Sequence, residues 1–242
     1  MHLLKNNILR TTFKNIIMAI IKLDDRYTRP ASIAASALYF IACLVFFTPI
    51  EIPHKITICT SILTLASLWL CPWQMTAALT CSALGDLAGA FGNFILQMGA
   101  FAAAHIFLIS FFMKRYKEKV EKDRKLTDKA KGYTLLIILM SITIAGFAFS
   151  EIIPNTPEGI IRIGTGIYTV LICTMLVLAL LQRSSLYALG ALLFVFSDFI
   201  LAWNKFVEPV PGRHYLVLVS YFLAQWLLFV RATKFRIGPE MR

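Results

Sequence analysis

Eight apolar stretches, each 15 to 20 residues long and parted by short polar breaks, govern what this chain can become. They are Ala31–Thr48, Ile56–Leu70, Gln74–Phe91, Phe94–Met113, Gly132–Ser150, Ile163–Leu181, Leu186–Trp203 and Tyr215–Val230. A hydrocarbon core about 30 Å thick takes about 20 helical residues, with a lower limit near 17. Inside it every backbone N–H and C=O must find a partner within the segment or in a closed sheet. Barrel strands would alternate apolar and polar residues, and these stretches do not. The expected fold is an all-α, polytopic membrane bundle of eight transmembrane helices. Composition agrees: 58% of the residues are apolar, only 15% are charged, and the mean hydropathy is +0.72. Soluble domains carry about 25% charged residues, so a soluble enzyme and a disordered chain are both excluded.

Two very short connections, Cys71–Pro72 and Gly92–Asn93, predict helical hairpins between the second, third and fourth stretches. The charged segment 114–131 divides the chain into four spans and four spans, and reads as a solvated loop or short charged helix. A polybasic lipid-binding role is the alternative for it.

The net charge of +11 does not point to nucleic acid, because the basic residues flank apolar segments. With a cytoplasmic N-terminus, the cytoplasmic segments (1–30, 71–73, 114–131, 182–185 and 231–242) hold 6, 0, 9, 1 and 4 Lys or Arg, which is 20 of the 24. The opposite face keeps Lys55, Arg162, Lys205 and Arg213. Such a bias sets orientation across a bilayer. It predicts an even number of spans, both termini in the cytoplasm and insertion in the inner (cytoplasmic) membrane. In residues 1–30, Leu9, Phe13, Ile16, Ile17 and Ile20 recur at helical spacing opposite Lys5, Arg10 and Lys14. That pattern predicts a basic amphipathic arm on the membrane surface. The apolar run Ile16–Ile21 is too short for the core of a cleaved signal. The organisation expected is thus an arm (1–30), a membrane domain (31–232) and a cytoplasmic tail (233–242).

Asp86 and Asp198 are the acids that fall well inside apolar spans. A charge there costs about 2.5–3.5 kcal/mol on insertion scales, so such a residue normally faces a bundle interior or wet cavity and has a function. Both spans run outward, so the two acids could share one depth. His105, Asn204, Lys205, Tyr221 and Gln225 lie in or at the ends of spans and are candidates to orient substrate or water. The other histidines, His2, His54 and His214, fall in end or loop regions, so a three-histidine zinc site is not supported. The five cysteines lack metal-like spacing and read as small packing hydrophobes. There is no GxSxG elbow, phosphate-binding glycine loop or HExxH, so no metal and no cofactor is expected and carboxylate acid–base chemistry remains. The segments GDLAGAFGNF and SDFILAWNKF share a small residue before the Asp, Ala four residues after it, an aromatic five after and Phe eight after. An ancestral duplication of four spans would produce this, and so would chance likeness between apolar helices.

The residues also carry a resemblance. Ala83-Leu84-Gly85-Asp86, followed by Gly99-Ala100-Phe101 and Ala104-His105, resembles the first signature of the YhhN family, which includes the lysoplasmalogenases. Gly190-Ala191-Leu192-Leu193-Phe194-Val195-Phe196-Ser197-Asp198, then Ala202-Trp203-Asn204-Lys205-Phe206, then Ser220-Tyr221-Phe222-Leu223-Ala224-Gln225, resembles the second and more specific one. The likeness covers about residues 33–232 and leaves out the basic arm. It implies an eight-span hydrolase that cleaves the sn-1 vinyl ether of a lysoplasmalogen, a lysophospholipid-type substrate, to a fatty aldehyde and a glycerophospho-base. Asp86 and Asp198 match the acidic positions of the family, and His105, Asn204, Lys205 and Gln225 its other polar positions. Tyrosine is usual in the family shortly after the histidine; Phe107 stands nearby here, leaving that hydroxyl contact without a donor.

The chemistry suits the residues on its own terms. Vinyl ether hydrolysis starts with protonation of the alkenyl carbon, water captures the oxocarbenium ion, and the hemiacetal collapses. It needs a proton donor and a group that stabilises the cation, the roles two carboxylates fill in glycosidases. Two close carboxylates tend to share a proton, so one Asp is expected as acid and the other as base or electrostatic partner. A proton-coupled carrier of a small or lipid-like solute would use the same two acids, and a non-catalytic lipid-binding protein would need neither. Head group, chain length, leaflet of entry and oligomeric state are not encoded in these patterns.

Overall fold

The computed structural model describes residues 25–122 and 126–236, and within them every regular element is helical. The helices are α1 (Asp25–Phe46), α2 (Lys55–Leu70), α3 (Trp73–Ala90), α4 (Phe94–Lys122), α5 (Leu126–Phe147), α6 (Ile160–Leu181), α7 (Ser185–Phe206) and α8 (Arg213–Arg236). Each covers one of the eight apolar stretches, with α1, α3 and α5 ending one to three residues short of it. Six of them are long and apolar enough to cross a membrane; α2 is a shorter apolar helix and α3 falls outside that set. The basic arm expected in residues 1–30 lies outside the described residues up to position 24. From Asp25 the chain is already in α1.

The turns follow from local chemistry. Pro72 forces its predecessor out of the helical region, and Cys71 is extended at φ −120°, ψ 160°, so α2 stops there. Thr76 Oγ1 donates to Ser67 O across the turn at 2.9 Å. Between α3 and α4, Gly92 takes φ +72°, where L side chains are strained. Asn93 then caps α4, its Oδ1 accepting from Leu96 N at 3.0 Å. Lys55 Nζ donates to Thr48 O and Ile50 O, carbonyls just beyond the end of α1. The charged segment 114–131 is mostly helical: α4 runs on to Lys122 and α5 starts at Leu126.

The hairpin α3–α4 and the hairpin α7–α8 form the two most intimate helix pairs, and α8 also touches α1, α2 and α3. Gly85 lets α4 approach α3, since a Cβ there would fall 2.8 Å from the Phe101 ring. Tyr39, Phe111, Phe112, Tyr187, Phe194 and Phe229 fill the interior, all at most 1% exposed. The outer surface carries Ile33, Leu44, Leu65, Leu136, Ile163 and Val170, each more than half exposed. A continuous apolar exterior of this kind is a surface for lipid.

Candidate active site

A cleft of about 780 Å³, counting its open side, lies between α4, α5, α6 and α7. Its walls are chiefly apolar, with Phe101, Ile144, Ile172 and Phe199 among them, and Asp198 and Tyr168 place polar groups on it. An apolar cleft with few convergent polar groups is the usual form of a small-molecule site. One wall is irregular. After Phe147 the α5 chain widens into a π turn, Ala148–Ile152, and Ala148 and Ile152 both line the cleft. Such turns recur at functional positions.

Asp198 is held from two neighbouring helices. Tyr168 on α6 donates its hydroxyl to Asp198 Oδ2 at 2.5 Å. His105 on α4 has Nε2 3.0 Å from the Tyr168 oxygen and 3.5 Å from Asp198 Oδ2. With the tyrosine hydrogen directed at Asp198, Nε2 must carry the imidazole hydrogen and donate to the tyrosine oxygen. Both contacts fall on Oδ2, which leaves Oδ1 for whatever enters the cleft.

Asp86 has its own network and is not among the residues lining the cleft. It is 3% exposed. Thr60 Oγ1 on α2 donates to its Oδ2 at 2.8 Å, and Tyr221 on α8 donates to the same oxygen at 2.9 Å. The two acids are within electrostatic reach of one another without touching. Rings fill the space between: Tyr221 packs edge-on against Phe194 at 5.6 Å, and Phe194 against His105 at 4.9 Å. Each acid therefore receives a hydroxyl from the helix before its own, α2 or α6, and a second group from the hairpin partner of the other acid, α8 or α4.

The remaining candidates sit as follows. Gln225 is one helical turn beyond Tyr221 on α8 and is 2% exposed. Asn204 Oδ1 accepts from Val210 N at 3.1 Å and ties down the α7–α8 connection. Lys205 is exposed near the end of α7, its Nζ 4.3 Å from the centre of the Phe94 ring. Phe94 and Phe206 both line the cleft, so the lysine stands beside one of its lining rings. Among the described residues no group of three or more His, Cys, Asp and Glu could hold a metal ion. Sequence reasoning missed Tyr168 and Thr60. Tyr168 supplies to His105 the phenolic contact that Phe107 cannot, from a different helix.

Comparisons with known proteins bear on this arrangement. Residues 54–232 match the family model described as YhhN family. The chain is 29% identical over 170 residues to the pig protein named lysoplasmalogenase TMEM86B, a match covering 70% of this chain and 66% of that one. The rat protein of the same name is 31% identical over 164 residues, covering 67% of this chain and 62% of the relative. The mouse protein of that name is 29% identical over 212 residues, covering 82% and 86%. The chain thus spans slightly less than two thirds of the pig and rat proteins. No solved structure matches it.

Proposed function

The chain belongs to the YhhN family, and from that premise we propose that it is an integral-membrane hydrolase that cleaves the vinyl ether of lysoplasmalogens, releasing a fatty aldehyde and a glycerophospho-base. The observation that carries the reading is Asp198, an acid fixed by Tyr168 and His105 on the wall of an apolar cleft. The names of the relatives supply the substrate class.

In the proposed reaction the acid form of Asp198 delivers its proton to the alkenyl carbon adjacent to the ether-bearing carbon. The C=C π pair forms the new C–H bond, and the ether oxygen shares the resulting positive charge. The carboxylate left behind stabilises that cation at close range in an apolar site, where electrostatic interactions are stronger than in water. It then accepts a proton from the attacking water. In the collapse of the hemiacetal Asp198 gives that proton to the departing glycerol oxygen as the C–O bond breaks and takes up the hemiacetal O–H proton, which leaves aldehyde, alcohol and the acid form of Asp198. Tyr168 and His105 hold the carboxyl group in position throughout. Asp86, Thr60, Tyr221 and Gln225 form the supporting set behind it. Aldehyde release by the purified protein in detergent tests the reading; a proton-coupled carrier built on the same acids would yield no aldehyde.

Lys205 is the candidate for the phosphate of the head group, since its ammonium stands beside Phe94, a lining residue of the cleft. Lys205→Ala should raise KM about tenfold, the worth of one charged hydrogen bond, while kcat falls less. An unchanged KM would remove Lys205 from that role. Asn204, in bonding Val210 N, orients the segment that carries this lysine.

Eight spans with both termini in the cytoplasm fit the distribution of 20 of the 24 basic residues. The end of the cleft near Lys205 then lies toward the extracytoplasmic face of the inner membrane. Reporters fused after residues 122 and 242 should both report the cytoplasm; an outside signal from either would refute this topology. The exchange of partners between the two acids, α2 and α8 for one and α6 and α4 for the other, supports descent from a duplicated four-helix unit.

A further inference from the structure

At the end of the bundle opposite Lys205, two guanidiniums from different helices converge on one buried ring, with a lysine close by. Arg115 on α4 has its guanidinium carbon 5.2 Å from the centre of the Tyr187 ring, and Arg231 on α8 has its own at 5.4 Å. Lys119, one turn beyond Arg115, donates to Gln182 O at the end of α6. Lys119 is within electrostatic reach of Arg115, Arg231 and Arg183, the last being in the α6–α7 turn with φ 49°. Glu118 is the acid that acts on Arg115. Ordinary membrane-flanking cations point into water and avoid each other. Here Arg115 is 7% exposed and Tyr187 is 0% exposed.

The Tyr187 hydroxyl is the second observation. It is fully buried, lies within electrostatic reach of both guanidiniums, and has no hydrogen-bond partner among the described residues. A buried hydroxyl left unpaired costs about 1–3 kcal/mol, so this donor has a use. Arg231 spends Nε on Ser184 Oγ at 3.1 Å, which leaves its two terminal nitrogens for a planar, two-pronged contact. Clustered cations that repel one another, with a phenol donor between them, fit an oxyanion carrying several acceptors.

We propose that Arg115, Lys119, Arg231 and Tyr187 form a binding site for a phosphate group, separate from the cleft. Tyr187 lies 11 residues before Asp198 on α7, about 16 Å along the helix axis. The phosphate comes either from an anionic phospholipid in the adjoining leaflet or from free phosphate in solution; both present the same oxygens.

The test measures binding and so does not depend on hydrolysis. Native mass spectrometry of the full chain, in detergent with equal parts phosphatidylglycerol and phosphatidylcholine, should show about tenfold preferential retention of phosphatidylglycerol. A thermal melt without lipid, with and without inorganic phosphate, reads the other source. Retention of phosphatidylglycerol with no shift by phosphate assigns the site to lipid, and a shift by phosphate assigns it to the free ion. Tyr187→Phe keeps the ring and its packing, so it should fold and lose most of whichever effect is seen. Arg231→Gln should do the same. Lys114→Gln removes an equal charge at an exposed position of α4 and should leave the effect intact. Absence of both effects in the unmutated protein, or an effect undiminished in Tyr187→Phe, would overturn the site.

Discussion

Asp198→Asn should fold like the parent chain and release aldehyde with kcat lower by about 10²–10⁴-fold, the range expected when a positioned proton donor is lost. Asparagine has the shape of aspartate, and its amide oxygen still accepts from the Tyr168 hydroxyl that now reaches Oδ2 at 2.5 Å. What it lacks is the acidic proton for the alkenyl carbon and the negative charge for the cation that follows. KM should change little, because the apolar walls formed by Phe101, Ile172 and Phe199 are untouched. Tyr168→Phe separates positioning from proton transfer. It keeps the acid and removes the hydroxyl that orients it, so its loss should be smaller, about tenfold. A melting temperature equal to the parent's establishes that each variant is folded. Full turnover by folded Asp198→Asn would make that carboxyl group structural and end the mechanism.

The positions of the helices were legible because a bilayer imposes one rule: apolar residues for a helix length, then a break. Cys71–Pro72 and Gly92–Asn93 marked hairpins because Pro72 ejects its predecessor from the helical region and Gly92 accepts φ +72°. The continuation of α4 to Lys122 was harder to foresee. Lys, Arg and Glu are good helix formers, yet a run of them also suits a solvated loop. The two acids looked equivalent in sequence, each preceded by a small residue and followed by the same spacing of Ala and Phe. Their settings differ because α3 is enclosed by α2, α4 and α8, whereas α7 borders α6 and the π turn with the cleft between. Tyr168 and Thr60 escaped notice for a related reason. A single hydroxyl in an apolar helix resembles a packing residue until a neighbouring helix brings a carboxyl group to it.

The enclosed setting of Asp86 shapes the second large effect. Asp86→Asn should lower kcat about 10²-fold although this carboxyl group is not on the cleft wall. Its route to the chemistry is physical contact: Asp86 holds the Tyr221 hydroxyl, the Tyr221 ring packs on Phe194, and Phe194 packs on His105, which bonds Tyr168. The amide oxygen of asparagine accepts from Thr60 and Tyr221 more weakly than the carboxyl group does, so Tyr221 and the rings behind it are held less firmly, while the helix contacts survive and the melting temperature should fall only slightly. The decisive measurement is the double variant. Residues that act as one catalytic unit fail together, so Asp86→Asn with Asp198→Asn should be no slower than Asp198→Asn alone. Once the proton donor is gone, nothing remains for Asp86 to support. If the two losses multiply instead, the carboxylates act independently and the paired mechanism must be abandoned. If Asp86→Asn lowers the melting temperature sharply and leaves kcat unchanged in the protein that remains folded, Asp86 serves only to bind α2 and α8 to α3.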